Sequence, residues 1–393
     1  MRSFAIFVLL SGLLHPAPGA DGAGASASPD VGPPPPGVVA TLELDPFYQK
    51  YLSVGGLPIV ASGRVSDHAL LEAAYLVGRM IGHRPDLIEA IAGEQVRIAI
   101  MAVDEFTTDV PEHATLQPAA YWDRRARGLG ASRERPAVSC GEENLLGFAG
   151  DPYAAESIFI HEFAHTIHQQ GLNVVDPAFQ GRLERAFGRA SLKGLWKGKY
   201  AGTNPAEYWA EGVQSWFDTN REDDFDHNHV DTREELRDHD PELARLIESV
   251  FGDGDWRYRP PRERRGRGHL AGHDPKEKRF SWPEEMVRAY EDHQAGRGLA
   301  TIEMRDPGAL PAGARSPRSR KSVSVRFRNG RAETLSFSWI DFDGERREYG
   351  KADPGREFRQ STFSGHLWLI TGEDGSPVAW AASPEKDAFG VVE

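Results

Sequence analysis

The run Ile158-Phe159-Ile160-His161-Glu162-Phe163-Ala164-His165-Thr166-Ile167-His168 constrains this chain more than any other stretch, because it sets a His-Glu-x-x-His pentad inside an apolar segment. At about 3.6 residues per turn, His161 and His165 project from one face of a helix, close enough for both imidazoles to reach one ion. Ile158, Phe159, Phe163, Ala164 and Ile167 make the helix a buried one, and burying two imidazoles and a carboxylate without a partner costs several kcal/mol. The pattern therefore predicts a zinc clamp, one Zn2+ per chain. Glu162 is the base, placed to take a proton from a water held at the ion.

A catalytic zinc needs a third protein ligand. Downstream, Asn204-Pro205 is a helix-start signal with carboxylates following where the helix dipole favours them. Glu207 and Glu211 then share a helix face, with Trp209, Val213, Trp216 and Phe217 available for packing. Glu207 is the best candidate for the third ligand, and Glu211, one turn on, is suited to hold a ligand imidazole by its free N–H. The alternative is a pair of exposed helix carboxylates with no metal role.

At 393 residues the chain exceeds the usual size of one core, which favours two domains. Met1-Arg2, the apolar run Phe4 to Leu14 and the small residues Ala23-Gly24-Ala25 have the layout of a cleaved secretory signal over 1–25. The run is too short to span a bilayer, so a secreted chain with no membrane anchor after processing is expected. Residues 26–40, with Pro33 to Pro36, read as a disordered Pro-rich leader. Cys140 is the only cysteine, which excludes an intrachain disulfide and a cysteine zinc cage, and leaves an inert buried thiol or a nucleophile as its two readings. A net charge of −13 argues against nucleic acid as the main partner.

Periodicity predicts an extended segment at 58–62, a helix at 67–81, a strand at 96–102, helices at 177–193 and from 205, and another at 241–251. Residues 107–153 read as a long irregular wall. Residues 260–318 read as a charged linker with a helix at 282–294. Beyond it the period turns from helical to alternating at Ser322 to Phe327, Leu335 to Ile340 and Leu367 to Ile370, which predicts a small all-β sandwich over 319–393.

His161-Glu162-Phe163-Ala164-His165, followed by Tyr200-x6-Glu207-x3-Glu211, resembles the catalytic domain of the anthrax lethal factor group of Glu-zincin metallopeptidases. That resemblance spans residues 140–220 well and 41–259 in outline. It implies zinc on His161, His165 and Glu207, Glu162 as general base, and Tyr200 as a phenol that stabilises the oxyanion and helps protonate the leaving amine. It also implies that a strand such as 96–102 edges the substrate cleft. His168 and Gly171 stand in the reverse of the metzincin order, so His168 is not expected to be the third ligand.

Trp339-Ile340-Asp341-Phe342-Asp343-Gly344-Glu345, Tyr349 and Ser364-Gly365-His366-Leu367-Trp368 resemble the β domain of the von Hippel-Lindau family. The resemblance implies a hydroxyproline-peptide pocket at Trp339, Tyr349, Thr362, His366 and Trp368, with Thr362 where the family has serine. Aromatic walls suit a pyrrolidine ring, and a His with a hydroxyl can bond its 4-OH. The alternative is that Trp339 and Trp368 are sandwich core. The fold class expected is thus multidomain α+β, a mainly helical zincin-type domain with a small sheet followed by the sandwich. The leading functional expectation is a secreted zinc endopeptidase acting on protein or peptide substrates, Pro- or hydroxyproline-rich ones among them. Its alternative is a non-catalytic secreted peptide-binding or adhesion protein with a structural zinc.

Overall fold

The computed structural model describes residues 30–264 and 266–393. The expected signal segment 1–25 and residues 26–29 of the leader lie outside that range. The chain is a multidomain α+β protein, a mainly helical unit around a small mixed sheet and then an all-β sandwich. The first unit contains helices α1 (Pro36–Leu42), α2 (Asp67–Ile81), α3 (Pro85–Gly93), α4 (Ala119–Arg125), α5 (Glu142–Leu146), α6 (Ile158–Thr166), α7 (Asn173–Val175), α8 (Phe179–Lys193), α9 (Pro205–Trp216), α10 (Arg233–His239) and α11 (Pro241–Phe251). Its strands are β1 (Lys50–Val54), β2 (Leu57–Ala61), β3 (Arg97–Met101), β4 (Gly128–Leu129) and β5 (Ala137–Gly141), in the order β1-β2-β3-β5-β4. Among the described residues no helix is long and apolar enough to cross a membrane.

Several local expectations change. The leader is not structureless to residue 40, because Pro36 opens α1, where its fixed φ suits the first helical turn, and Val38 and Leu42 pack on Leu44, Tyr48 and Met101. The strand at 96–102 does not edge the cleft. β3 runs between β2 and β5 with every residue buried, the place of an apolar run covered on both faces. The edge is β4, antiparallel to β5 and too short to leave a readable period. The stretch 107–153, expected to be irregular, holds α4, β4, β5 and α5.

One buried ion pair sets where that edge lies. Arg127, between α4 and β4, grips Glu143 of α5 with both nitrogen–oxygen contacts, Nε to Oε1 at 2.5 Å and Nη2 to Oε2 at 2.9 Å, and both side chains are fully buried. Its remaining donors go to the carbonyls of Ala102 and Glu105. The chain from 125 to 128 is thereby pulled inward, leaving Arg125 on the cleft side and Gly128 on the site.

The sandwich stacks two four-stranded sheets. Strands β6 (Ala300–Thr301), β7 (Ser322–Asn329), β10 (Glu357–Phe363) and β13 (Ala388–Val392) form one, in the order β10-β7-β13-β6. Strands β8 (Leu335–Ile340), β9 (Arg346–Ala352), β11 (Leu367–Thr371) and β12 (Pro377–Ala382) form the other, in the order β12-β11-β8-β9. Phe327, Phe337, Phe358 and Trp368 fill the space between. The segment expected as linker is built into the fold: β6 adds to the sandwich, and helix α12 (Glu284–Gln294) wedges between α4 and β7. Tyr290 stacks on Tyr121 with ring centroids 5.4 Å apart, and Arg326 donates to the His293 carbonyl at 2.9 Å.

Arg127→Met is expected to lower stability by about 3–5 kcal/mol, because it strands a buried carboxylate. Urea unfolding measures this, and adding Glu143→Leu should recover part of the loss. A double variant less stable than the single would refute the role given to this pair.

Candidate metal centre and peptide pocket

The pentad helix α6 starts at Ser157, whose hydroxyl accepts from the Ile160 N–H, and its far end runs on as a π-helical turn over Ile167–Leu172. Helix α9 starts at Asn204, whose side chain accepts from the N–H groups of Ala206 (2.9 Å) and Glu207 (3.0 Å), with Pro205 at the first helical position. The two helices are pinned in register by Trp209, fully buried, which donates its indole N–H to the Ala164 carbonyl at 2.9 Å. That bond joins the residue before His165 to the residue two past Glu207.

With the helices so held, His161, His165 and Glu207 converge. The Nε2 atoms of the two imidazoles face each other at 3.1 Å, and Glu207 Oε2 lies 3.3 Å from His161 Nε2 and 3.2 Å from His165 Nε2. Tetrahedral zinc with bonds of about 2.0–2.1 Å separates its ligand atoms by about 3.3 Å, so this near-equilateral triangle has the size the ion requires. Glu207 Oε2 is buried with no conventional hydrogen-bond partner, as is His165 Nδ1. The donor set of two imidazoles and a carboxylate fits zinc.

The tautomer of His161 follows from its neighbours. Glu156 Oε2 accepts from Gln214 Nε2 at 2.9 Å, which turns Gln214 Oε1 toward His161 Nδ1 at 2.7 Å. Nδ1 therefore carries a proton, and Nε2 is the nitrogen left to face the centre, where it can give a lone pair to an ion that displaces its own proton. Gln214, which sequence reading passed over, makes this contact more closely than Glu211, the residue expected there, whose Oε1 is 3.5 Å from Nδ1. Glu211 is instead engaged with His227 Nε2 at 3.2 Å and Asn220 Nδ2 at 3.1 Å. The signal was available, since Glu207, Glu211 and Gln214 recur at helical spacing along one face. His168 turns away to Gln180 at 2.7 Å and takes no part in the triangle.

The carboxylates around His161 favour a positive charge there. Burial works against a charged His161, yet the Glu207 carboxylate at 3.3 Å and the fields of Glu162 and Glu211 push its pKa up to about 10. Burial, reinforced by Glu207, raises the Tyr200 phenol far above its ordinary value, so it keeps its proton at neutral pH. Tyr200 and Glu162 both line the cavities flanking the centre, about 620 Å3 on one side and about 290 Å3 on the other. The edge strand β4 lies directly on α6. A Cβ at Gly128 would stand 3.0 Å from Glu162 Cγ and would press on the base, and one at Gly130 would stand 2.9 Å from His165 Cβ, closer than a side chain can approach, so the strand fits best as glycine here. Cys140 is fully buried in β5, and burial raises its thiol well above the usual range, which removes the thiolate a nucleophile needs.

In the sandwich the five expected pocket residues also come together. Trp339 stacks on His366 at 5.1 Å between ring centroids, and Tyr349 meets Trp339 and Trp368 edge-on at 6.2 and 5.6 Å. Thr362 Oγ1 and His366 Nδ1 share a hydrogen bond of 3.0 Å. Residues 314–377 match the VHL beta domain family. In this VHL-like module Trp368 is core, 1% exposed with its indole N–H bound by Ser383, whereas Tyr349 is 49% exposed. The His366 Nε2 and Trp339 Nε1 atoms are buried without partners. Burial lowers the His366 pKa, keeping the ring neutral. No curated protein matches the sequence. Among solved structures, the Pro-Pro endopeptidase from Paenibacillus alvei aligns over 50% of this chain and 97% of its own, at 19% identity and a TM-score of 0.30. A TM-score of that size carries nothing about activity.

Gln214→Leu is expected to weaken zinc binding about 10–100-fold while leaving the fold intact, because His161 loses the acceptor that sets its tautomer. Competition with a chelating dye, read beside circular dichroism, measures it. Unchanged affinity would refute the tautomer argument.

Proposed function

We propose that this chain is an extracellular zinc endopeptidase of the Glu-zincin type. The observation that carries the proposal is the triangle of His161, His165 and Glu207 atoms at 3.1–3.3 Å, with a base and a phenol beside it and cavities on both flanks. His161, His165 and Glu207 would hold the ion. When bound, zinc supplies Lewis acidity that polarises a scissile carbonyl and makes water more acidic. Glu162, beneath the β4 edge, takes the proton from the attacking water and returns it to the leaving amine. Tyr200, kept protonated by burial and Glu207, donates a hydrogen bond to the oxygen on which charge develops. Among the described residues three protein ligands converge, where a structural zinc is closed by four, which favours the catalytic reading over the adhesion protein. An extracellular location is proposed from the N-terminal sequence alone.

The VHL-like module would bind the substrate through Trp339, Tyr349, Thr362 and His366, with Trp368 backing them from the core, a proline-class ring against the Trp339 indole and a 4-hydroxyl meeting the neutral His366 imidazole. β10 begins at the cleft and carries Thr362 near its far end, six residues beyond Arg356. That is about 20 Å of extended chain, so a peptide of about six residues joins pocket to cleft.

Two measurements test these readings. Glu162→Gln should retain zinc and lose at least about 1,000-fold in peptide hydrolysis across a broad substrate library. Cleavage by neither wild type nor variant would instead leave the binding-protein reading. Hydroxyproline peptides should bind the full chain at least about tenfold more tightly than proline peptides, with Trp339→Ala abolishing binding of both. Calorimetry that finds no binding to either would end the pocket proposal.

A further inference from the structure

The larger of the two cavities beside the candidate centre has walls from both halves of the molecule. His161, Glu162, Tyr200 and Arg125 line it from the helical unit, Tyr290 and Gln294 from α12, and Arg328, Arg356, Glu357 and Arg359 from the VHL-like module. The module is fastened there. Arg356 reaches over to pair with Asp226 and sits over the Phe225 ring at 4.7 Å, and Arg359 donates to the Tyr121 hydroxyl at 3.3 Å. Arg124 stacks on the Trp282 and Tyr290 rings at 4.7 and 5.3 Å. The module is thus part of the cleft, and its position relative to Glu162 is set by side chains rather than by a tether.

That wall is cationic in a chain whose net charge is −13. Arg328 and Arg359 both lean on Glu357, which also serves Arg326, so one carboxylate answers three guanidiniums. Arg356 is matched by Asp226. Arg125 is exposed in the cleft, lines the cavities on both flanks of Glu162, and lies over the Trp122 ring at 5.4 Å, with no hydrogen-bond or ion-pair partner among the described residues; the phenols of Tyr121, Tyr153 and Tyr200 and the base itself are within reach of its charge. The acidic residues on the opposite wall are already engaged, Glu156 with Arg221 and Glu211 with His227. A planar guanidinium left free at a cleft is suited to a carboxylate, which it can bind through two parallel hydrogen bonds.

We propose that Arg125, backed by the arginines of β7 and β10, is a specificity residue that selects peptides with an Asp or Glu side chain next to the bond being cut. The module then has two functions: its aromatic pocket holds the substrate at a distance, and its arginine edge completes the subsite at the cleft. This proposal rests on the peptidase reading for the meaning of the cleft, and its test separates the two.

The test uses the full zinc-loaded chain and peptide series in which each position around the scissile bond carries Glu, Gln or Lys. With wild type, Glu should exceed Gln at one position at least about tenfold in kcat/KM, mainly through KM, and the preference should shrink as salt rises. Arg125→Glu should reverse it toward Lys, and Arg125→Gln should level it. A parallel arm measures binding of the same peptides to Glu162→Gln by fluorescence anisotropy, with and without the Arg125 changes. Cleavage without any Glu preference, or a preference that survives Arg125→Glu, overturns the proposal and leaves the peptidase reading in place. Glu-selective, Arg125-dependent binding without hydrolysis by wild type upholds the subsite and removes the peptidase reading. Neither binding selectivity nor hydrolysis removes both.

Discussion

Two imidazole nitrogens 3.1 Å apart, with a carboxylate oxygen within 3.3 Å of both, are a stable arrangement only with a positive charge, a proton or a metal ion, among them. The architecture of the helical unit follows from holding those atoms there. The Trp209–Ala164 bond sets the register between α6 and α9, the Asn204 cap fixes where α9 begins and therefore where Glu207 points, and the Glu156–Gln214–His161 chain decides which imidazole nitrogen faces inward. The Trp209 bond and the Glu156–Gln214–His161 chain are buried, where a polar group left unpaired is costly, and the Asn204 cap is half-buried.

A second constraint comes from backbone proximity. The β4 edge lies on α6 because Gly128 and Gly130 have no Cβ and because Arg127, anchored on Glu143, draws the intervening chain into the core. The same anchor leaves Arg125 facing the cleft. An ion pair in the core and a cation at the surface are thus consequences of one short stretch, and the cleft wall, the base and the free guanidinium are mechanically linked through it.

The two halves of the molecule meet through aromatic and guanidinium contacts rather than an apolar interface. Tyr121, Tyr290 and His293 stack, Arg124 covers Trp282, and Arg356 bridges to Asp226. Such contacts are directional and fix orientation. The aromatic cluster of the VHL-like module and the His161–His165–Glu207 triangle of the helical unit are thereby held at a set separation.

The chain's sequence by itself determined the pentad helix, the Asn204-Pro205 start of α9, the helices at 67–81 and 241–251 and the alternation of the sandwich strands, because these depend on local period and capping. It also identified His161, His165, Glu207, Glu162 and Tyr200 as one group and the five pocket residues as another, through spacing and family resemblance. Only the tertiary structure decided that β3 is interior and β4 the edge, that Gln214 makes the closer contact with His161, that residues 284–301 dock instead of linking, and that Arg125 stands free in a cleft shared by both units. The physical reason is range. A helix cap or a two-residue alternation is satisfied by neighbours in the chain, whereas sheet order, a hydrogen-bond partner and a charge left without one are set by groups far apart in sequence, whose meeting no local pattern encodes.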